Sequence, residues 1–553
     1  MIEPPGADEL LFLPLGGAGE IGMNLTLYGH AGQWLMVDLG VTFGDDATPG
    51  IEVIMPDPSF IEDNRDRLSG LVLTHAHEDH IGAVPYLWPD LGCPIYATPF
   101  TASVLRRKLV ESGIEEEAEI VEVPLSGRFK VGPFDLEFIT LTHSIPEPNA
   151  VAIRTPCGTV LHTGDWKLDP DPLVGEVTDE AALKKLGAEG VLAMVCDSTN
   201  ALVPGHSGSE SLVRANLTEM MGRFQGRIAV ACFASNVARL ESVARAAAHH
   251  DRHAALVGRS LWRINKAARE TGYLADLPEF VSEHDAGFLP RDKVVLLCTG
   301  SQGEPRSALA RIARGEHPAV MLEAGDAVLF SSRVIPGNDR AIGRLQNDLA
   351  KLGVEIVTER DNAIHVSGHP ARDELIAMYQ WVRPQIAVPV HGEYRHLAAH
   401  ARLAEDCQVP QSVLSTNGDV IRLAPGPARK IGEVPSGRLG LDGKVLMSLD
   451  GEAMRLRHRM LHNGTAVATL VLDETGLLAA EPQIAIQGLL EPDEMGEARE
   501  DAADAVRTAL VKLRPADRKS DATVKEAARL AIRKTLQNLH GKKPLTEVHL
   551  VRL

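Results

Sequence analysis

The sequence predicts a layered α/β protein with a second α/β unit inserted into it and a small α+β unit at its end. Three observations predict this. Short apolar runs recur, many followed at once by Gly, Ser or Asp and then by a helical pattern, as in parallel sheets. Residues able to bind metal or move protons stand where those runs stop. Strand, Gly/Ser loop and helix units repeat from Leu192 to Asn338, which indicates a parallel sheet within that stretch.

The chain is organised around Leu71–Tyr86, LVLTHAHEDHIGAVPY. Leu71-Val72-Leu73 reads as a buried strand. His75 and His77 stand two apart, so on an extended chain they point the same way. Asp79 and His80 follow at a turn that can aim them at a second point, and an apolar segment then opens a helix. Nitrogen and carboxylate donors this close together suit a divalent cation such as zinc or manganese. A histidine-rich surface loop would lack the strand before and the helix after, which together make a rigid ligand platform.

Bulk properties set limits. At roughly 100–200 residues per domain, 553 residues allow about three or four domains. Hydrophobic content of 44% and charged content of 24% are those of an ordinary folded chain. No apolar run approaches the roughly 20 residues that span a bilayer. The opening MIEPPGADEL lacks the basic-then-apolar pattern of a signal peptide. A cytoplasmic protein with no membrane partner is expected. None of the six cysteines forms a CxxC pair, which argues against a disulfide framework or a thiolate zinc site. A net charge of −19 argues against indiscriminate coating of nucleic acid but leaves room for a local basic channel.

Taken in order, Leu10–Leu15 is a predicted strand followed by Gly16–Gly22. GAGEIG matches the dinucleotide fingerprint GxGxxG, but that fingerprint needs a helix next. Here Asn24-Leu25-Thr26-Leu27-Tyr28 alternates like a strand, so a glycine-rich hairpin is expected. Gln33–Val37 is a further strand ending at Asp38. Such a residue is usually a cap; beside a metal it can orient a ligand histidine. Thr101–Ser112 reads as a helix. Phe134–Leu141 delivers His143, and Thr159–His162 leads to Thr163-Gly164-Asp165. Alone, His143 would be read as a core histidine and Asp165 as a turn residue.

Within the insert, predicted strands end in loops carrying Asp197, then Ser235 and Asn236, then Arg259 and Ser260, then Ser301, then Ser332 and Arg333. Small residues expose backbone N–H groups, helix N-termini favour anions, and the two arginines add charge-assisted contacts. Several such loops in succession predict a phosphate-lined surface. After Asn417-Gly418-Asp419, a Pro/Gly-rich linker is expected over Ala424–Gly443. The tail should hold a hairpin in Met460–Leu472 turning at His462-Asn463-Gly464-Thr465, helices over Glu497–Leu513 and Asp521–Leu539, and a last strand over Thr546–Leu553.

The HxHxDH set, the distant His143 and the Asp165 after Thr163-Gly164 resemble the metallo-β-lactamase superfamily. That resemblance implies an αββα sandwich with a two-metal centre at one sheet edge. It would put His75, His77 and His143 on one ion and Asp79 and His80 on the other. Asp165 would stand between them, and His391 would complete the second site. With Asp197-Ser198-Thr199-Asn200, Ser367-Gly368-His369 and Val390-His391-Gly392-Glu393, the insert resembles the β-CASP domain of the nucleic-acid-processing branch. LGGAGEIGMN, THSIPEPNAVAIRTP, HTGDWK, TGSQGEP, SSRVIPGN and HVSGH together resemble the ribonuclease J family, from about Leu11 to Asn417. One departure is Trp166, where Phe is expected.

The resemblance implies residues 1–200 and 361–435 as the metallo-β-lactamase domain, 201–360 as the β-CASP domain, and 436–553 as linker and C-terminal α+β domain. It implies two divalent ions per subunit, Zn2+ and/or Mn2+. The substrate would be single-stranded RNA with a 5′-monophosphate, cut 5′ to 3′ with endonuclease action besides, in mRNA decay and rRNA maturation. A homodimer formed through the C-terminal domain and membership of an RNA-degradation complex are also implied. Asp79, Asp197 and His369 would be catalytic, with His369 stabilising the developing charge or protonating the leaving 3′-oxygen. His365, Val366, Ser367, Gly368 and His369 would hold flanking phosphates with the insert's loops. Three rivals remain open at this point: a DNA-processing β-CASP nuclease, a small-molecule metallohydrolase, which should lack the insert, and a non-catalytic RNA-binding subunit, which should have lost ligands.

Overall fold

The computed structural model describes residues 3–335 and 337–553. Met1 and Ile2 of the opening segment, and Pro336 of the SSRVIPGN phrase, lie outside the described residues. The chain forms two compact units. One runs to Phe43 and over Val53–Leu439; the other joins Gly44–Glu52 to Gly440–Leu553.

The first unit holds two sheets face to face. The eight-stranded sheet has the order Arg429–Glu433, Asp419–Ala424, Leu10–Gly16, Leu25–His30, Gln33–Val37, Leu68–Val72, Ile95–Ala97, Ile120–Glu122. The seven-stranded sheet runs Arg128–Val131, Phe134–Thr140, Asn149–Thr155, Gly158–His162, Ala193–Asp197, Ile386–Val390, Gln411–Ser412. Period-two alternation sets the layers. Phe134, Leu136, Phe138, Val151, Ile153 and Val195 meet Phe12, Tyr28, Leu35 and Val37 between the sheets. The alternate residues Ile139, Ala150, Ala152 and Met194 face the other way, onto Leu183, Leu375, Met378 and Leu403 of helices Glu180–Glu189, Arg372–Val382 and Tyr394–Asp406. Each large apolar side chain fully buried this way contributes roughly 1.5–3 kcal/mol. A one-residue slip would exchange the two faces of a strand, so register is tightly specified. This is the αββα sandwich that the resemblance implied.

The insert is a six-stranded parallel sheet ordered Val281–Ser282, His253–Val257, Val294–Cys298, Ile228–Ala231, Ala327–Phe330, Glu355–Val357. Its central strands are apolar throughout because both faces are covered. Helices Val237–His249, Arg259–Glu270 and Asp339–Lys351 begin just past the carboxyl ends of three of these strands.

Two expectations are corrected near the end of the chain. The predicted linker is largely strand: Arg429–Glu433 pairs with Asp419–Ala424, and Arg438–Asp442 is extended. Its Pro and Gly fall mostly at the breaks between strands, where they cost no ladder hydrogen bonds. The expected hairpin turn at Asn463-Gly464 is instead a helix end. Helix Glu452–Asn463 stops at Gly464, whose φ of 67° suits a C-terminal cap, and strand Thr465–Leu472 follows. An Asn-Gly pair serves either role, and the preceding helical face decides which. The rest of the second unit is a three-stranded sheet under helices Met495–Lys512 and Asp521–His540, cored by Ala466, Ala468, Leu470, Val506, Val524 and Ile532.

Candidate metal centre

Parallel pairing brings the chemistry to one edge. Gln33–Val37 pairs in parallel with Leu68–Val72, so Asp38 and the histidine motif leave the first sheet together. Gly158–His162, Ala193–Asp197 and Ile386–Val390 are mutually parallel, so Asp165, Asp197 and His391 leave the second sheet at the same end. His143 follows Phe134–Thr140, which runs in the same direction.

Three groups of donors result, with Asp165 common to all: His75, His77, His143 and Asp165; Asp79, His80, Asp165 and His391, which together hold the seven expected ligands; and Asp165, Asp197, His369 and His391, which overlaps them. Within each group the donor atoms all lie within 4.8 Å of one another. His77 Nδ1 is 3.0 Å from both His75 Nε2 and His143 Nε2. Asp165 Oδ2 is 4.0 Å from those two Nε2 atoms, 3.2 Å from His80 Nε2 and 3.5 Å from His391 Nε2. Asp79 Oδ2 is 3.5 Å from His80 Nε2 and 3.7 Å from His391 Nε2. Asp79 and His80 sit in a single helical turn, Glu78–Ile81, rather than in an open loop.

Hydrogen bonds fix which ring nitrogen of each histidine faces inward. Asp38 accepts from Thr74 N (2.8 Å), Thr74 Oγ1 (2.9 Å) and His80 Nδ1 (2.7 Å). Because Thr74 Oγ1 donates to Asp38, it accepts from His75 Nδ1 at 3.0 Å. His143 Nδ1 donates to the Gly368 carbonyl (2.5 Å) and His391 Nδ1 lies 3.0 Å from Asn24 Oδ1. A side chain at Gly368 would meet the His143 ring at 2.6 Å, so only glycine allows this approach. Asp38 and His391 both adopt left-handed backbone, φ 62° and 53°, which is uncommon outside glycine and gathers at functional sites.

The residues fit divalent ions. With their Nδ1 atoms committed elsewhere, His75 and His143 both turn Nε2 lone pairs toward His77 Nδ1, which as a donor could satisfy only one of them, whereas a cation among the three rings satisfies all. Asp165 Oδ1 and His391 Nε2 are buried with no hydrogen-bond partner among the described residues. Burial, reinforced by neighbouring imidazoles, pushes His75 and His143 well below the ordinary histidine range, and burial takes His77 to about 4 against the pull of Asp79 and Asp165, so all three rings are neutral at pH 7. Burial opposes the charge of Asp165, but His391, His80 and His369 outweigh it and keep the carboxylate ionised. Burial likewise disfavours charge on His80, yet Asp165, Asp79 and Asp38 raise it well above the ordinary value.

His369 Nδ1 donates to Asp197 Oδ2 at 2.8 Å and stands 3.8 Å from Asp165 Oδ2. Burial alone would lower its pKa; Asp197 and then Asp165 raise it to about 9. Asp197 Oδ1 is held by Thr199 N and Thr199 Oγ1. Ser367 Oγ accepts from Asn200 Nδ2 (2.8 Å) and from His369 N (3.2 Å), and Arg333 Nη1 donates to Asn200 Oδ1 at 3.1 Å. The insert's loop is thereby tied to the loop that carries His369.

The predicted phosphate contacts divide. Arg259 and Arg333 are exposed and Ser235 and Ser260 partly so, at the carboxyl edge of the insert's sheet. Asn236, Ser301 and Ser332 are buried, and the Asn236 side chain caps helix Val237–His249 by accepting from Arg239 N. Val366 packs over Gly208. Burial, then Arg239, Lys167 and Arg333, push His365 well down, so it is a neutral imidazole. Glu147 is buried, accepting from Phe100 N and Tyr273 OH, both at 2.8 Å, so it ties the insert to the sandwich instead of meeting solvent. Asn24, Thr74 and Tyr273 were missed in the sequence, since nothing local marks them as partners of residues far along the chain.

Fold and site together define the class, a metallo-β-lactamase sandwich carrying a β-CASP insert. Family models match accordingly: the metallo-β-lactamase superfamily over residues 19–219, the ribonuclease J β-CASP domain over 225–349, the Zn-dependent metallo-hydrolase RNA specificity domain over 353–410, and the ribonuclease J C-terminal domain over 452–553. The chain is 46% identical to a ribonuclease J of Sinorhizobium meliloti, covering 99% of this chain and 98% of that one. It is 37% identical to one of Mycobacterium tuberculosis, with 98% of each covered, and 35% identical to one of Thermus thermophilus, covering 97% and 94%. A crystal structure of an Enterococcus faecalis protein of unknown function shares the fold, with a TM-score of 0.52 at 16% identity, covering 75% of this chain and all of that one. The chain belongs to the ribonuclease J family, metal-dependent ribonucleases that act on RNA. Among the described residues no helix is long and apolar enough to cross a membrane.

Proposed function

We propose that the protein removes nucleotides from single-stranded RNA in the 5′ to 3′ direction, starting at a 5′-monophosphate, and also cuts internally, in mRNA decay and rRNA maturation in the cytoplasm. The observation that carries the reading is the meeting of His75, His77, Asp79, His80, His143, Asp165 and His391 in two groups that share one carboxylate, with the His369–Asp197 pair beside them. When bound there, two divalent ions, Zn2+ and/or Mn2+, supply an activated water and a clamp for in-line displacement at phosphorus.

The chain's own residues do the rest. Asp38, Thr74 and the Gly368 carbonyl orient ligand imidazoles. With Nδ1 held by Asp197, His369 presents Nε2–H to the leaving 3′-oxygen and delivers its proton there, or steadies the charge on the equatorial oxygens. Arg259 and Arg333, with the backbone of the loops at Ser235, Ser260, Ser301 and Ser332, hold phosphates downstream. Residues 1–200 and 361–435 form the catalytic body, 201–360 the RNA-gripping insert and 436–553 the dimerising part. Exposed Leu461, Leu530 and Leu539 support that last assignment. Membership of an RNA-degradation complex belongs to the same reading.

The test is a product-length time course on one oligomer made as 5′-monophosphate RNA, 5′-triphosphate RNA and DNA. Mononucleotides released first from the monophosphate RNA are expected. Equal cleavage of DNA, or release from the 3′ end, would overturn the reading.

A further inference from the structure

We infer that the glycine-rich hairpin Gly16–Asn24 is the holder of His391, and that Asn24 is a positioning residue for the Asp79–His80–Asp165–His391 group alone. The inference rests on the two-ion reading of the site. It gives a purpose to the stretch whose GxGxxG pattern imitates a nucleotide-binding loop.

The partners of the Asn24 amide dictate its orientation. The side-chain nitrogen lies 3.0 Å from the Asp79 carbonyl oxygen, which can only accept, so Nδ2 must be the atom facing it. Oδ1 then faces His391 Nδ1 at 3.0 Å, and an amide oxygen can only accept, so Nδ1 of His391 carries the hydrogen. That leaves the lone pair on Nε2, the atom that is buried without a partner among the described residues and lies 3.5 Å from Asp165 Oδ2. One amide thus selects the tautomer of His391, fixes the backbone of Asp79 and, through Nδ2, lies 3.2 Å from His80 Nε2.

The rest of the hairpin pins the same histidine from its main chain. His391 N donates to the Gly17 carbonyl at 2.6 Å, and Ala18-Gly19 pairs in parallel with Gly392-Glu393. The glycines permit this closeness. A Cβ on Gly17, at φ +84°, would sit 2.3 Å from Asn24 Oδ1, and one on Gly16 would sit 1.9 Å from the Met23 carbonyl. His391 itself holds a left-handed backbone, φ 53°, a conformation that persists where its surroundings over-determine it. The His75–His77–His143 nitrogens have other supports, Thr74 and the Gly368 carbonyl, and among the described residues none of them hydrogen-bonds Asn24.

The test is a Zn2+ titration of the metal-free full-length protein in competition with a chromogenic chelator, read as two successive affinities, on wild type, Asn24→Ala, His391→Ala and the double variant. Asn24→Ala is expected to weaken the second affinity by about 10–100-fold, the usual effect of losing a ligand's hydrogen-bond partner, and to leave the first within about threefold. The double variant is expected to bind no worse than His391→Ala. If His391→Ala still holds both ions at wild-type affinity, the two-ion assignment of His391 fails. If His391→Ala loses one ion while Asn24→Ala binds both as wild type does, the inference alone fails. Should Asn24→Ala lose both ions, near-isosteric Asn24→Asp decides. It keeps the oxygen that accepts from His391 but sets a second oxygen against the Asp79 carbonyl, so it should hold the first ion as wild type and weaken only the second, by about 10–100-fold. Loss of the first ion in Asn24→Asp as well would overturn the inference.

Discussion

The two donor groups share Asp165 but are built in opposite ways. In one, His75 and His77 come from a single extended stretch, His143 joins them, and three neutral imidazoles meet at 3.0 Å spacings. In the other, Asp79 and His80 share one helical turn, His391 comes from a distant segment, Asp79 and Asp165 give the group two carboxylates, and Asp38 and Asn24 hold the rings. The first group is imidazole-rich with its nitrogens already deprotonated, whereas in the second a proton on His80 is stabilised by Asp165, Asp79 and Asp38. One fold edge thus offers two cations different competition from protons, and different dependence on long-range packing.

Mutations should expose the difference. Asp165→Ala, which removes the shared carboxylate, is expected to abolish RNA hydrolysis while RNA retention in a gel-shift assay survives; near-normal turnover would sink the assignment. His77→Ala should do the same through the first group alone. His369→Ala leaves both groups intact and should lower kcat by about 10²–10⁴-fold, the range for a general acid, with little change in metal content. A wild-type rate would remove that role. Asp38→Ala should weaken both ions by about 10–100-fold, because Asp38 holds His80 directly and His75 through Thr74. Selective loss of one ion would mean that the Thr74 link carries nothing.

The smallest effects concern pH. His80 must give up its proton to ligate, so affinity at the second group should fall as pH falls, by up to about tenfold per unit. The first group, with His77 near 4 and its partners also lowered, should hold its ion over the same range. Metal stoichiometry measured between pH 8 and pH 6 checks this. His369 is raised to about 9 and must be protonated to act as an acid, so kcat should decline on the alkaline side. That limb should lie at or below pH 9, since cations beside Asp165 favour the neutral ring.

The legibility of the sequence follows the same division. The strand before His75 and the two-residue spacing to His77 are local, and so are the Gly, Ser and Asp at strand ends, so His75, His77 and the parallel sheet of the insert could be read directly, whereas His143 and Asp165 needed the family resemblance. His391 could be assigned only through family resemblance, because its neighbours in space are Gly17 and Asn24 at the far end of the chain. The hairpin mistaken at Asn463-Gly464 failed for a related reason: local turn chemistry does not say whether a helix or a strand precedes it. Burial was also illegible. Asn236 looked like a phosphate contact and is a helix cap.

The most direct test of the central claim is an anomalous difference map from crystals grown with Mn2+. The account predicts two peaks roughly 3.5–4 Å apart on either side of the Asp165 carboxylate, one among His75, His77 and His143, the other against Asp79, His80 and His391. A single peak, or a second one away from His391, would contradict it.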